Sequence, residues 1–464
     1  MSSMDKTTAN KTISHQTISR EEEADLTLRR TKVSRRLAAF ITLIFLALIF
    51  APPIAQHYFA PPMSHGGKDF WSLFPTWNEV RETREMRDAS LLLPTHDETK
   101  EFEVKLESEA LLSKKLLSPT QNVMSKTFHA GNEQVYMGRD KWLFAKAEID
   151  YLTGKGFLDP KVLHRAELKG ENANPVPAII DFHRQLKARG ITLIVMPVPA
   201  KGTVHPEQFS GLWGSRWSTP LVPENASFSQ LEDELKREKI LVYDPRELLL
   251  KAKETTKEAQ YFPGDTHWTP QAMTRVARDL AHFIRQNIEL PTTEKVQYKF
   301  SPSPEVNITD LEIMLKLPKK QKIFEHQKAQ TQRVLDPDGA LWKPQTDADI
   351  LLLGDSFSNI YSRPGFWGRA AGLGEHLSYY LKRPLDRIAI NGGGASAIRA
   401  RWQSDLQSGK RDLKTTRVVI YEFATRTLAN NNWKIIDISP TLQPPSAETF
   451  ALEKFGPEAR RFTP

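Results

Sequence analysis

The 464-residue chain contains no cysteine. That absence excludes disulfide scaffolds, thiolate metal sites and cysteine nucleophiles, and makes the chain indifferent to its redox compartment. No run of five or six like charges occurs either, so the chain lacks the charged tails that mark many interaction segments. No internal repeat or low-complexity tract is present. At 39%, apolar residues are too few for a polytopic membrane protein and too many for a wholly disordered chain. The net charge is +8, of which residues 1–36 carry +3. The rest is spread thinly, which fits a mixed solvated surface and no nucleic-acid partner. At roughly 150 residues per domain, the length allows two or three small domains or one large one.

One long apolar run is present. Residues 37–55 hold no charge and a single hydroxyl, Thr42. Nineteen residues come close to the roughly 20 that span a bilayer as a helix. Arg29, Arg30, Lys32, Arg35 and Arg36 flank the run on its N-terminal side. The positive-inside rule then places residues 1–36 in the cytoplasm and the bulk of the chain outside it. A cleaved signal peptide is the competing reading. The long polar stretch before the run, and Pro53 three positions from a cut after Ala55, favour an uncleaved single-pass anchor.

The remaining organisation follows from composition. Residues 1–36 read as a disordered cytoplasmic tail, and 56–130 as a membrane-proximal stalk or helical lead-in interrupted by Pro61, Pro62, Pro75 and Pro94. Beyond Gln134, short aliphatic runs alternate with helical stretches. The runs at 191–196, 240–243, 349–353, 387–390 and 417–421 predict five strands. Ile179, Phe182 and Leu186 form a helical stripe before the first, with Gly190 as the expected C-cap. Apolar strands separated by helices indicate an α/β domain with a parallel sheet covered on both faces. Ligand chemistry in such sheets sits at the carboxyl ends of the strands. Residues 292–345 fit the rhythm poorly and read as an insertion or cap, and 436–464 as a C-terminal tail.

Three strand ends and one loop carry unusual residues. Gly354-Asp355-Ser356-Phe357-Ser358 follows the third strand. A Gly-led turn there exposes a serine hydroxyl beside backbone N–H groups that favour developing negative charge. Ser356 as a simple helix N-cap is the alternative. His267 lies two residues after Asp265 in a loop before a helix that Thr269 and Pro270 open. A carboxylate beside an imidazole fixes its tautomer and stabilises the imidazolium. A structural histidine and an Asp/His metal pair are the alternatives, the second wanting further ligands. Asn391-Gly392-Gly393-Gly394 follows the fourth strand, where Asn391 and Gly393 offer N–H donors to an oxyanion. After the fifth strand, Glu422 and Arg426 either pair with each other or orient substrate.

Together these residues resemble the SGNH-hydrolase-like alginate O-acetyltransferases of the AlgJ/AlgX type. The resemblance rests on Asp265-Thr266-His267-Trp268, on residues 354–358 and on the run 387–394. It extends to an opening strand motif at 135–144, to a Pro-x-Pro-x-Lys segment ending at Lys201, and to a closing strand at 423–433. It covers roughly 131–435, with Lys141 standing where the family usually shows Gly. Asp265 and His267 precede Ser356, a permuted block order that separates this branch from ordinary SGNH esterases. Residues 434–464 are too few for the carbohydrate-binding module of the AlgX type, so the membrane-anchored AlgJ type is the nearer likeness.

The resemblance implies an extracytoplasmic O-acetyltransferase, without metal or other cofactor, in which Asp265, His267 and Ser356 form a triad. Asn391, Gly393 and Arg426 are then the oxyanion and substrate-binding candidates. It further implies a periplasmic domain held at the inner membrane, an exported alginate-like polysaccharide as acceptor, and a multi-pass membrane O-acyltransferase as acetyl donor. A carbohydrate acetylesterase and a non-catalytic polysaccharide-binding protein are the alternative functions.

Overall fold

The computed structural model describes residues 34–59, 81, 99, 100, 103, 110–211, 222–430 and 432–439. It divides into two units, Met1–Leu117 and Ser118–Pro464. The expected cytoplasmic tail as far as residue 33, most of the expected stalk with its four prolines, and residues 440–464 lie outside the described residues.

In the first unit the apolar run folds into one helix, α1 (Arg35–Phe59). Leu37, Phe40, Leu43 and Phe50 are exposed along it. Described side chains run unbroken only from Ser34 to Ala51. Among the described residues no helix is long and apolar enough to cross a membrane.

The second unit begins within α2 (Leu111–Phe128) and continues with an antiparallel pair, β1 (Val135–Met137) and β2 (Leu143–Ala145). Its turn holds Asp140 and Lys141 at positive φ, 49° and 64°, the torsion that explains a glycine preference at position 141. Next come α3 (Lys146–Thr153) and α4 (Pro175–Lys187). Asn174 caps α4 by accepting the Val176 N–H, with Pro175 at the first helical position. Ala188 is the C-cap residue. Gly190, expected in that role, lies two residues beyond at φ 69° and lets the Ile191 N–H return to Leu186 O.

The sheet runs β4 (Leu241–Val242), β3 (Thr192–Val198), β9 (Val418–Ala424), β7 (Ile350–Gly354), β8 (Asp386–Ala389). Every pairing in it is parallel. All five predicted strands are present, with ends shifted by one to three residues. The expected closing strand at 423–433 ends earlier: the chain leaves the sheet after Ala424 and turns through a 3-10 segment, Thr425–Ala429.

The two-residue period of the strands builds a core on each face. Ile194, Met196, Leu352, Val418 and Ile420 join Val276, Leu280 and Ile284 of one helix, α7, and Leu373 and Leu377 of another, α10. Leu193, Val195, Leu353, Val419 and Tyr421 join Ile179, Phe182 and Leu186 of α4, and Ile398 and Trp402 of α11. The helices between are α5 (Phe228–Arg237), α6 (Arg246–Thr256), α7 (Pro270–Asn287), α8 (Asp310–Met314), α9 (Ser356–Asn359), α10 (Leu373–Leu381) and α11 (Gly394–Gln407). The segment read as an insertion is a two-stranded antiparallel ribbon, β5 (Lys299–Asn307) with β6 (Gln327–Leu335), enclosing α8. It is bonded into the domain: the Val334 N–H donates to Ala370 O at 2.7 Å, and Asn307 Nδ2 to Phe366 O at 2.6 Å.

Ile420 has no exposure and sits on the central strand, between β3 and β7. Ile420→Ala is expected to lower stability by about 2–5 kcal/mol. Urea unfolding curves of both chains check this, and an unmoved midpoint would show that the site collapses without a cavity.

Candidate active site

Asp265 and His267 lie on a loop pinned at both ends. The Phe262 N–H bonds to His267 O at 3.2 Å and the Thr269 N–H to Gln260 O at 2.9 Å. Thr269 then caps α7, as expected, accepting the Ala272 N–H with Pro270 at the first position. From below, the buried Lys201 ammonium donates to Pro263 O at 2.7 Å, Asp265 O at 3.1 Å and Leu143 O at 2.6 Å. It also sits 5.0 Å from the Trp142 ring and 5.1 Å from Phe144. Burial pulls its pKa down to about 7, against the attraction of Glu148, Asp265 and Asp310. The Tyr361 hydroxyl donates to Trp268 O, holding the far side of the loop.

Asp265 is 1% exposed and His267 4%. Asp265 Oδ1 is 2.6 Å from His267 Nδ1 and accepts the His267 backbone N–H at 3.1 Å. Its Oδ2 accepts from Trp367 Nε1 at 2.9 Å and from the Asp310 N–H at 3.1 Å. Burial alone would raise the Asp265 pKa. The His267 bond and charge, with Trp367 and the Asp310 amide, hold it down at about 2. Burial likewise opposes charge on His267, but the Asp265 contact outweighs it and raises the imidazole pKa. His267 Nε2 is buried and has no hydrogen-bond partner.

Ser356 opens α9 as its first helical residue. It is not the N-cap, as one reading of the sequence had it. Asp355 takes that role, accepting the Phe357 N–H at 2.8 Å and, through its other oxygen, the Ala424 N–H at 2.9 Å. Glu422 braces the turn from beneath: its Oε2 accepts from the Asp355 N–H at 3.0 Å and from Ser358 Oγ at 2.5 Å. Burial, reinforced by the Asp355 charge, raises the Glu422 pKa well above the ordinary carboxylate value. Gly354 leaves room for this contact, since a Cβ there would lie 2.3 Å from Ser358 Oγ and 2.7 Å from Glu422 Oε2.

Phe357 joins the two halves. Its ring centroid lies 4.9 Å from that of His267 and 5.2 Å from Trp268. The residue after Ser356 therefore packs on the histidine. The Arg426 guanidinium covers the same ring at 5.7 Å and pairs with Glu148 at 2.7 Å. Its partner is thus Glu148, not Glu422, because Glu422 is turned under the serine turn. Asn391 Oδ1 accepts from Asn359 Nδ2 at 3.1 Å, which ties the glycine loop to α9. Gly392 and Gly394 have φ of 71° and 66°, while Gly393 is the N-cap of α11 at −80°. A cavity of about 200 Å³ opens here, lined by Gly392, Gly393, Gly394, Asn430, Asn432 and Trp433 among others.

Asp310, Glu148 and Asn359 escaped the sequence reading, and Phe357 stood in the 354–358 motif without a role of its own. Asp310 lies in the segment set aside as an insertion, and Glu148 and Asn359 carry no local signal. Ligand atoms of Asp265, His267 and Asp310 lie within 4.8 Å of one another, the spacing of a metal cluster. Each Asp265 oxygen already has two donors, and Nδ1 of His267 is turned to Asp265. The set satisfies itself as a hydrogen-bonded cluster, which a cation would have to disrupt.

A family model described as "SGNH hydrolase-like domain, acetyltransferase AlgX" matches residues 135–425. A probable alginate O-acetylase AlgJ of Pseudomonas fluorescens is 26% identical over 327 residues, covering 68% of this chain and 73% of that protein. Its Pseudomonas aeruginosa counterpart is 27% identical over 161 residues, covering 34% of this chain and 35% of that protein. Among solved structures, the O-acetyltransferase domain of Pseudomonas putida AlgJ aligns with a TM-score of 0.48 at 20% identity. The alignment covers 64% of this chain and 93% of that one.

Lys201→Met removes the donor of the buried Leu143 and Asp265 carbonyls, each costing about 1–3 kcal/mol when left unpaired, while Pro263 O keeps the Leu143 N–H. The substitution is expected to destabilise the chain by at least about 2 kcal/mol in urea unfolding. A midpoint equal to wild type would mean that the loop does not depend on the clamp.

Proposed function

Because the chain belongs to the SGNH hydrolase-like family of AlgX-type acetyltransferases, we propose that it moves acetyl groups through an ester on Ser356 onto hydroxyls of an exported polysaccharide. The observation that carries this reading is His267. Its Nδ1 is held 2.6 Å from Asp265 while Nε2, buried, has no partner. That is the arrangement of a general base whose tautomer is fixed from behind. His267 takes the Ser356 proton, and Ser356 attacks the acetyl carbonyl. N–H groups at the start of α9 and at Gly393, with the free Nδ2 of Asn391, stabilise the oxyanion. Collapse expels the donor's leaving group, which takes the proton from His267. The same histidine then deprotonates a sugar hydroxyl, which attacks the ester and frees Ser356. Arg426, fixed by Glu148 above Phe357, is the candidate to orient the acceptor.

The likeness to probable alginate O-acetylases supports an alginate-like, uronate-bearing acceptor, and the mildly basic balance of about +5 beyond residue 36 is compatible with an anionic polymer. The apolar helix α1 behind its basic flank supports a single-pass anchor in the inner membrane, with the catalytic domain in the periplasm. No acetyl-CoA pool is expected there, so a multi-pass membrane O-acyltransferase is the proposed acetyl donor. An acetylesterase would use the same residues with water as acceptor. A non-catalytic binding protein has no need of a histidine poised by a carboxylate, as His267 is by Asp265.

Ser356→Ala and His267→Ala are each expected to lower acetyl release from a chromogenic ester by at least ~10³-fold. Wild-type rates in either variant would remove that residue from the mechanism. His267 acts as a base only when neutral, and its pKa is raised. Activity should therefore climb with pH through a midpoint above the ordinary histidine value of about 6.5. Asp265, held at about 2, stays ionised throughout and adds no limb in that range. With uronate oligosaccharides present, mass spectrometry should find acetylated sugar; free acetate alone would assign the esterase instead.

A further inference from the structure

The sequence reading assigned the site a single acid, yet a second carboxylate reaches the same histidine from the β5–β6 segment. Asp310 opens α8. Its backbone N–H donates to Asp265 Oδ2 at 3.1 Å, its Oδ1 accepts the Thr266 N–H at 2.9 Å, and its Oδ2 accepts the Thr266 hydroxyl. That oxygen also lies 3.5 Å from His267 Nδ1. Thr266 Oγ1 is itself 3.1 Å from Nδ1. A hydroxyl has one proton to give. With that proton committed to Asp310, Thr266 can only accept from Nδ1. The ring nitrogen then faces nothing but acceptors: Asp265, Thr266 and, further off, Asp310.

We propose that Asp310 is a positioning residue of the acyl-transfer site, which makes Thr266 a second acceptor for His267 Nδ1 and so fixes the proton there and leaves Nε2 bare. The proposal rests on the acyl-transfer reading for its role in catalysis, though not for its effect on the imidazole. Other charges act on the cluster. Arg426 opposes a proton on His267, and Lys201 and Arg426 both lie within the field of Asp310. Burial and the Asp265 charge raise the Asp310 pKa to about 6, so it is ionised where a neutral histidine works.

Two readouts follow, both on the full-length chain in detergent micelles with ¹⁵N-labelled histidine. In Asp310→Asn, removing the charge is expected to lower the His267 titration midpoint by about one pH unit. It should also raise the share of the Nε2–H tautomer, and lower kcat with KM unchanged. A purely structural Asp310 would lower the unfolding midpoint and leave the His267 titration in place, and that result overturns the proposal. Should Asp310→Asn fail to fold, Thr266→Ser and Thr266→Val decide. Thr266→Ser retains the hydroxyl and should match wild type, whereas Thr266→Val should show more Nε2–H tautomer. Equal tautomer populations in the two overturn the proposal. Full activity in Ser356→Ala would remove the acyl-transfer reading, while the imidazole titration would still judge Asp310.

Discussion

Asp265 is a carboxylate taken out of water, and four N–H groups converge to keep it charged. They come from its own loop, from α8 and from Trp367, three stretches far apart in the chain. A buried carboxylate without such donors would take up a proton instead. Much of the loop's surroundings serves this condition. Lys201 fixes the carbonyls on either side of Gly264, Trp367 closes over Oδ2, and the ribbon that carries Asp310 is bonded back into the domain. A charged Asp265 in turn raises the basicity of His267, and a base held in one tautomer is what acyl chemistry at a serine requires.

The serine half of the site obeys the same rule with the opposite outcome. Burial raises the pKa of Glu422, which lies under the turn beside the Asp355 carboxyl and accepts from the Asp355 amide and the Ser358 hydroxyl. Asp355 is shared between the α9 amide of Phe357 and the β9 amide of Ala424, which ties the serine turn to the central strand. Neighbouring strands β9, β7 and β8 thus deliver Arg426, Ser356 and Asn391 to one edge of the sheet. Phe357, packed between His267 and Arg426, sets the spacing between the two halves.

Legibility varied with the kind of constraint. The five strands were readable because buried parallel strands must be apolar on both faces. The α7 start was readable because Thr269 and Pro270 act within one turn. Asp265 and His267 were readable as a pair because they stand two positions apart. Of the two readings open for Arg426, pairing with Glu422 is the one the fold excludes: Glu422 is near in sequence, but its position on β9 directs it beneath the serine turn, while Glu148 on α3 pairs with the guanidinium. Residues 292–345 looked like an insertion because exposed antiparallel strands alternate and lack the unbroken apolar signal of the sheet.

The sequence by itself determined what local chemistry and periodicity can encode. It carried the parallel α/β architecture, the Thr269 cap of α7, the absence of any thiol nucleophile, and the residues proposed for acyl transfer. Tertiary structure decided who satisfies whom. That Asp355 caps α9 and leaves Ser356 at the first helical position, that Glu148 holds Arg426, and that Asp310 stands behind Thr266 depend on chain segments that meet only in the fold. The physical reason is desolvation. A polar group's partner matters energetically once water is excluded, and which groups lose water is fixed by packing between residues that share no neighbourhood in the sequence.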